Sequence, residues 1–138
     1  MLEKDNFLLR YDLEDLVRWN LAPCPCGETH RRLFYEGRVR DVVTVAGREI
    51  LPIDVALVLY DVPEVSTPSA EYQIVRGGEC ADALHVRLEY APGVSEDGLR
   101  ARLAERFRDR LGVPTRLELF ASGALPRFAY KAARVVDS

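Results

Sequence analysis

The alternation of strand and helix patterns after residue 41 constrains the fold of this chain more than any other feature. Residues 42–45 form a short apolar run typical of a buried strand. A helix is predicted to begin at Pro52, because proline is tolerated in the first helical turn, and to end at about Tyr60, before Pro63. A strand followed by a helix is therefore the first predicted unit.

A β-hairpin is predicted next. Residues 72–76 and 84–90 have the composition of strands, and the turn-forming pair Gly77 and Gly78 lies between them. Apolar and polar residues alternate along the second strand, as expected when one face is buried, and His85 falls on the polar face.

The second helix has the clearest boundaries. Ser95 is a suitable N-cap, and Gly112 and Pro114 are stop signals. An apolar residue recurs every four positions between them, at Leu99, Leu103, Phe107 and Leu111. A strand over residues 115–120 completes the order strand, helix, strand, strand, helix, strand. This order predicts an α+β fold of the ferredoxin-like, split βαβ type, in which two helices cover one face of an antiparallel sheet.

The N-terminal residues 1–36 are predicted to form a separate region before the domain of residues 37–138. Residues 7–11 and 16–19 look like two short strands, and a stiff proline-containing connection follows them. A hairpin this small is marginal alone, so it needs a larger body to pack on.

Composition and charge exclude several classes of partner. The chain has 138 residues, 48% of them apolar, which suffices for one globular domain. Its net charge is −3 and its basic residues are interleaved with acidic ones, so no nucleic-acid surface is predicted. No apolar run approaches the roughly 20 residues that span a bilayer, and the N-terminus lacks a signal-peptide pattern. We therefore predict a cytoplasmic protein with no membrane partner.

Cys24, Cys26 and His30 are residue types that bind zinc, but their spacing is unfavourable. A structural zinc site needs four ligands and usually two or more residues between paired cysteines, and the fourth ligand would have to be Cys80 or His85. We predict no metal here. The three cysteines are an odd set, so reduced thiols packed in a proline-stiffened loop are expected.

Lys131 is unusual because it is one of only two lysines, beside Lys4, in a chain with seventeen arginines. A lysine offers a compact, flexible point charge where an arginine offers a planar fork, so its position suggests a specific site. The alternative is an exposed lysine whose stem covers apolar surface.

The residues around Lys131 resemble a family motif. Residues 125–127, Leu-Pro-Arg, followed by Lys131 and by residues 134–137, resemble the closing motif of adenylate-forming enzymes of the phenylacetate-coenzyme A ligase branch. Residues 37–41 with 47–48 resemble the hinge and the glycine turn after it. Residues 11–18 resemble the last strand pair of the large domain of these enzymes, and residues 24–30 resemble the linker between the two.

The resemblance implies a two-step ligase. A carboxylic acid and ATP form an acyl-adenylate, then the small C-terminal domain rotates and the thiol of coenzyme A displaces AMP. Mg²⁺ would accompany ATP. The chain lacks the Gly-rich phosphate loop of these enzymes, so it is not expected to be active without a large adenylation domain, in cis or in trans. The acid cannot be read from this sequence.

The resemblance also implies roles for single residues. Lys131 would stabilise the negative charge that develops as pyrophosphate leaves. Asp15 would bind the ribose hydroxyl groups, and Arg38 the ribose or a phosphate of the nucleotide. The alternatives are a plain turn acid at Asp15 and a solvated strand face for Arg38 and Arg48. Arg40 and Asp41 occupy the hinge. The turn of Gly47 and Arg48 would come near the coenzyme A channel.

The sequence departs from the family pattern at three places. Leu13 and Glu14 replace the usual Thr-Gly before Asp15, an arginine occupies the hinge aspartate position, and residues 128–130, Phe-Ala-Tyr, replace the small residues before Lys131. These departures favour one alternative, a freestanding binding or regulatory module that has lost adenylation. The other alternative is a structural unit that covers its exposed hairpin by forming a homodimer.

Overall fold

A computed structural model describes residues 12–65, 70–77, 82–127 and 133–137. Contacts divide the chain into two compact units, Met1–Arg40 and Asp41–Ser138. The observed boundary, after Arg40, therefore lies four residues after the predicted one, after residue 36. The assignment of the first part to a large domain and of the second to a mobile C-terminal domain stays a prediction.

The first unit is a two-stranded antiparallel ribbon. Strands β1, Asp15–Asn20, and β2, Arg32–Arg38, pair along their whole lengths, with a bulge between Leu16 and Val17. The strand predicted over residues 16–19 is confirmed. Its described partner is β2, for which the sequence pattern predicts no strand. The predicted strand over residues 7–11 lies outside the described residues.

The second unit begins with a short hairpin and a helix. Strands β3, Val43–Val45, and β4, Arg48–Ile50, pair with each other across a turn at Ala46 and Gly47, both of which have positive φ. Helix α1 spans Pro52–Tyr60, as predicted, with the proline in its first turn. The prediction that β3 belongs to the main sheet is wrong, because this tight turn returns the chain on β3 itself.

The main sheet has four strands in the order β7-β6-β5-β8. Its strands are β5 (Tyr72–Arg76), β6 (Leu84–Tyr90), β7 (Thr115–Ala121) and β8 (Val135–Asp137). The predicted hairpin of β5 and β6 is confirmed. The sheet is mixed and not wholly antiparallel. The crossover through helix α2, Glu96–Leu111, makes β7 parallel to β6, and β8 pairs parallel to β5.

Both helices and the main sheet contribute to one core. Helix α2 spans Glu96–Leu111 and buries the predicted stripe, with Leu99, Leu103 and Phe107 fully inaccessible to solvent. Helix α1, the strands and the segment after α1 add the remaining large buried side chains, among them Val55, Val58, Ile74, Leu84, Val86 and Leu88. The α+β class with two helices is confirmed, consistent with a ferredoxin-like split βαβ domain.

The C-terminus of α2 is closed by a glycine and an arginine from elsewhere in the chain. Gly112 has φ +66°, and its backbone N–H donates to the Arg108 carbonyl over 2.8 Å. Arg48 Nη1 donates to the Leu111 carbonyl over 3.0 Å. These bonds satisfy carbonyl groups that have no partner within the helix, and the guanidinium lies at the negative end of the helix dipole.

Gly112→Ala should destabilise the second unit by about 1 kcal/mol, because a side chain is strained in the left-handed region. The new Cβ would also lie 2.9 Å from Arg48 Nη1, so the arginine must move. Gly98→Ala is the matched control, since its Cβ would meet only Ser95 Oγ at 3.9 Å. It should raise stability by roughly 0.5–1 kcal/mol. Urea unfolding of both variants measures the difference, and equal effects would contradict the prediction.

No helix in the part of the chain that the structure describes is long and apolar enough to cross a membrane.

Candidate functional site

Lys131 lies outside the described residues, as do residues 128–130 and Cys80. The structure describes the chain up to Arg127 on one side of this lysine and from residue 133 on the other. The candidate site is therefore described through the residues that hold these two flanking segments.

Glu89 on β6 holds the segment that precedes Lys131. Its side chain is fully buried, and its two oxygens accept hydrogen bonds from both terminal nitrogens of Arg127, Oε1 from Nη1 at 3.0 Å and Oε2 from Nη2 at 2.7 Å. The Leu125 backbone N–H also donates to Oε1, over 2.7 Å. A guanidinium that binds both oxygens of a carboxylate fixes orientation as well as distance. The Leu-Pro-Arg part of the resembling motif is thus anchored on the main sheet.

Arg134 holds the segment that follows Lys131. It forms an ion pair with Glu71, and its Nη1 donates to the Tyr72 carbonyl over 3.1 Å. Its guanidinium carbon lies 4.5 Å from the centroid of the Tyr72 ring, a cation–π distance. Beyond it, β8 continues the attachment by pairing with β5.

The two anchors meet at neighbouring residues. The Glu89 backbone N–H donates to the Glu71 carbonyl over 2.9 Å, and the Glu71 backbone N–H lies 3.3 Å from Glu89 Oε2. Both segments that flank Lys131 in the sequence are therefore attached to one place, where β5 begins and β6 ends.

The charge of Glu89 is maintained despite its burial. Burial alone raises the pKa of this carboxyl, but the Arg127 ion pair and backbone N–H groups, including that of Leu125, more than offset it and lower the pKa to about 2 from 4.5. A carboxyl whose pKa is lower in the folded state stabilises the fold above its unfolded pKa. That contribution is lost as the pH falls from about 4.5 toward 2.

Glu89→Gln should therefore be destabilising in a pH-dependent way. At neutral pH we expect a loss of about 1–3 kcal/mol, because buried hydrogen-bonding groups are left unsatisfied. As the pH falls below about 4.5 the difference from wild type should shrink, since protonation removes the same charge from the wild type. Thermal unfolding of both proteins across this pH range measures it. A difference that is constant with pH would contradict the assigned ion pair.

Asp15 and Arg38, both predicted to bind nucleotide, lie opposite each other at one end of the ribbon. They are paired in the register of β1 and β2, and Arg38 Nε lies 3.7 Å from Asp15 Oδ1. Each side chain is 29% exposed. Glu14, which stands where the resembling family has glycine, has φ +56°, and its backbone N–H donates to Asp12 Oδ1 over 2.9 Å. The turn thus keeps a glycine-like backbone with a non-glycine residue, a strained arrangement.

Arg40 and Asp41, predicted as the hinge, lie in a short 3-10 helix over Val39–Asp41. The boundary between the two compact units falls between these two residues. Gly47, predicted near a coenzyme A channel, has φ +76° in the β3–β4 turn, where a side chain would be strained. Arg48, predicted with it, caps α2.

Cys24, Cys26 and His85 each have a side-chain partner. Cys24 Sγ and Cys26 Sγ are 2.7 Å apart, and the hydrogen bond from Cys24 lowers the pKa of Cys26. Among the residues that the structure describes, no three metal-binding side chains, His30 included, gather in a group. His85 is buried and not exposed on a polar face, and its Nε2 lies 2.8 Å from Glu118 Oε1 on the adjacent strand β7.

No role for Glu89 is predicted from the sequence. In the alternation along β6 it falls on the same polar face as His85, where an exposed carboxylate is expected. In the structure, Leu125 and Arg127 bind the Glu89 carboxylate. No pattern of residues within β6 indicates this contact. The sequence shows that Arg127 and Arg134 flank Lys131, but it does not show which residues pair with the two arginines.

Comparisons with known proteins place these features in context. Residues 47–138 match the family model described as the AMP-binding enzyme C-terminal domain. The chain is 32% identical to the phenylacetate-coenzyme A ligase of Thermus thermophilus. The match covers 94% of this chain and 33% of that ligase.

Solved structures of a 2-hydroxyisobutyryl-CoA ligase are also similar. In the postadenylation state, in complex with R3-HIB-AMP, the identity is 30% and the TM-score 0.77, covering 91% of this chain and 28% of that one. In complex with 2-HIB-AMP and CoA in the thioesterification state, the identity is 29% and the TM-score is 0.60. This match covers 90% of this chain and 27% of that one. The chain spans about a third or less of the length of these relatives.

Proposed function

Because the chain belongs to the family of AMP-binding enzyme C-terminal domains, we propose that it supplies the catalytic lysine of an acyl- or aryl-CoA ligase and rotates between the two half-reactions. The observation that carries this proposal is the family match over residues 47–138, which spans Lys131 and both anchored flanks. The ligase as a whole includes a large adenylation domain, joined to this chain or separate from it. This is consistent with the length of the relatives.

Lys131 acts in the adenylation half-reaction. Its ammonium group stabilises negative charge on the acid carboxylate and the phosphates as pyrophosphate leaves. It serves as a fixed point charge and not as a proton donor. Arg127 and Arg134, which flank this lysine in the sequence, are paired with the carboxylates of Glu89 and Glu71.

Asp15 and Arg38 bind the nucleotide. The carboxylate of Asp15 accepts hydrogen bonds from the ribose hydroxyls, and Arg38 contacts the ribose or a phosphate. Their pairing across the ribbon, at 3.7 Å, supports a common ligand, because the ion pair presents both groups on adjacent strands.

The second unit rotates about Arg40 and Asp41. The division of the chain between these residues supports a hinge there, since a hinge needs only a few residues to absorb the change in backbone dihedrals. The similar 2-hydroxyisobutyryl-CoA ligase has been captured in postadenylation and thioesterification states. After rotation, the turn of Gly47 and Arg48 lies near the coenzyme A channel.

The first unit packs on the large domain. Opposed pairs in its register, Val17 with Tyr35 and Trp19 with Leu33, place four apolar side chains on one face of the ribbon. Each of them is between 39% and 58% exposed. A contiguous exposed apolar surface of this kind is typical of a protein interface.

ATP and coenzyme A are the substrates, and AMP is a product. Mg²⁺ enters with ATP, but the described residues include no group of three metal-binding side chains, so no step is assigned to a metal held by this chain. The carboxylic acid binds in the large domain. Cytoplasmic localisation and homodimerisation stay predictions.

The proposal is tested by acid-dependent ATP–pyrophosphate exchange with phenylacetate and 2-hydroxyisobutyrate as first substrates. A large adenylation domain of the phenylacetate-coenzyme A ligase type is assayed alone, with this chain fused to it, and with this chain added separately. We expect the chain to raise the exchange rate at least about tenfold over that of the large domain alone. A positioned charge contributes more than this to the rate of a reaction in a desolvated site. If the chain adds nothing in either form, a freestanding non-catalytic module becomes the better interpretation.

A further inference from the structure

Cys24 and Cys26 lie in a tight turn within the connection between β1 and β2. The Gly27 backbone N–H donates to the Cys24 carbonyl over 3.0 Å, which closes a four-residue turn with Pro25 in its second position. Proline is favoured at that position because its ring already has the φ that the turn needs. The turn therefore restricts the backbone that carries both thiols.

The two sulfur atoms lie close to bonding distance. Both cysteines are free thiols, and Cys24 Sγ and Cys26 Sγ are 2.7 Å apart. A disulfide bond is about 2.05 Å long, so the sulfur atoms need to approach by only about 0.7 Å. Cysteines whose side chains point apart cannot be bridged without backbone movement, and this pair does not have that obstacle.

The pair is also accessible and reactive. Cys26 is exposed and Cys24 is half-buried. Hydrogen bonds from the Cys24 thiol and from the Glu28 backbone N–H lower the pKa of Cys26, so more of it is thiolate near neutral pH. Thiol–disulfide exchange begins with attack by a thiolate on a disulfide sulfur. Cys26 is therefore suited to attack first, and Cys24 is placed to react with it afterwards.

A bond between these two cysteines would add little to the stability of the fold. The stabilisation from a cross-link grows with the length of the loop that it closes, and this loop holds only the three residues 24–26. Exposed or strained disulfides are the ones that are readily reduced again. The arrangement thus favours a bond that forms and breaks over a permanent structural one.

We propose that Cys24 and Cys26 form a reversible dithiol–disulfide couple that is oxidised by small disulfides of the glutathione type. The Cys26 thiolate attacks one sulfur of glutathione disulfide, forms a mixed disulfide and releases one glutathione. The Cys24 thiol then loses its proton, attacks Cys26 Sγ and displaces the second glutathione. The protein loses two electrons and two protons, and one glutathione disulfide becomes two glutathione molecules. A dithiol reductant reverses both steps.

The test uses the full chain carrying Cys80→Ser, which leaves only these two of its three thiols. The reduced protein is incubated with glutathione disulfide, remaining thiols are alkylated, and peptide masses are measured. We expect the peptide that contains both cysteines to lose two hydrogens without gaining glutathione, and dithiothreitol to restore it. The same chain unfolded in urea is the control, because it keeps the sequence spacing and loses the turn. It should give a smaller fraction of the internal disulfide and more of the glutathione adducts.

Single variants separate the two cysteines. Cys24→Ser removes the resolving thiol and keeps a hydroxyl that can donate to Cys26, so glutathione should remain attached at Cys26. Cys26→Ser leaves Cys24 alone, and its reaction with glutathione disulfide should be about threefold or more slower, because it lacks the hydrogen bonds that favour the thiolate.

Three results would overturn the proposal. They are two glutathione adducts on the folded chain, disulfides that join two chains and not the two cysteines of one, and equal fractions of internal disulfide in the folded and unfolded chain. The assay follows only the masses of the thiol-bearing peptides. Its outcome is therefore independent of the proposed ligase function, which is measured by pyrophosphate exchange.

Discussion

Lys131→Ala in the complete ligase should lower the rate of acyl-adenylate formation about a hundredfold and leave thioester formation from preformed acyl-adenylate unchanged. In the proposed role, the ammonium group stabilises charge that develops only as pyrophosphate leaves, and losing such a contact in a desolvated site costs on the order of 3 kcal/mol. The proposed rotation would take the lysine away from the reacting atoms before thioester formation. Single-turnover assays of each half-reaction, with labelled ATP and with purified acyl-adenylate, make the measurement.

Lys4→Ala is the matched control, since Lys4 is the other lysine of the chain, and it should leave both half-reactions unchanged. Lys131→Arg keeps the positive charge but spreads it over a planar group, so it should restore only part of the rate. An equal loss of rate in the two half-reactions of Lys131→Ala would contradict the assigned role.

Phe107→Ala should have the largest effect on stability, about 3–5 kcal/mol. Phe107 is the largest of the fully buried side chains, and it lies on α2 in the core with Leu99 and Leu103. Its removal loses the transfer free energy of the ring and leaves a cavity that the surrounding helix and sheet fill only in part. Natural domains have net stabilities of about 5–15 kcal/mol, so this one variant removes a large part of the total.

Urea unfolding of the second unit measures this loss, and Glu105→Ala is its control. Glu105 is exposed on the same helix, and both variants place alanine, a good helix former, in the helix interior. We expect Glu105→Ala to change stability by less than about 0.5 kcal/mol. A loss of less than about 1 kcal/mol in Phe107→Ala would show that the core described around α2 is not formed in solution.

Signals within a few residues of sequence were sufficient to predict the elements whose contacts are between neighbouring residues. The bounds of α1, the N-cap and C-cap of α2 and the hairpin of β5 and β6 were predicted, because proline, glycine and the period of apolar residues act within a few positions. The family was also recognisable from short motifs, since residues 125–127 and Lys131 are contiguous or nearly so.

The tertiary structure alone decided the edge of the sheet and the burial of Glu89. Strand β8 forms the edge of the main sheet beside β5, whereas β3 pairs with β4 outside that sheet. Both β3 and β8 are only three residues long, too short for their pattern to indicate a partner. Arg127 meets Glu89 across 38 positions of sequence. The sequence by itself thus determined the elements and the family, because these depend on neighbouring residues. Contacts between residues distant in sequence have no periodic signature, so only the folded chain showed that Arg127 pairs with Glu89 and Arg134 with Glu71.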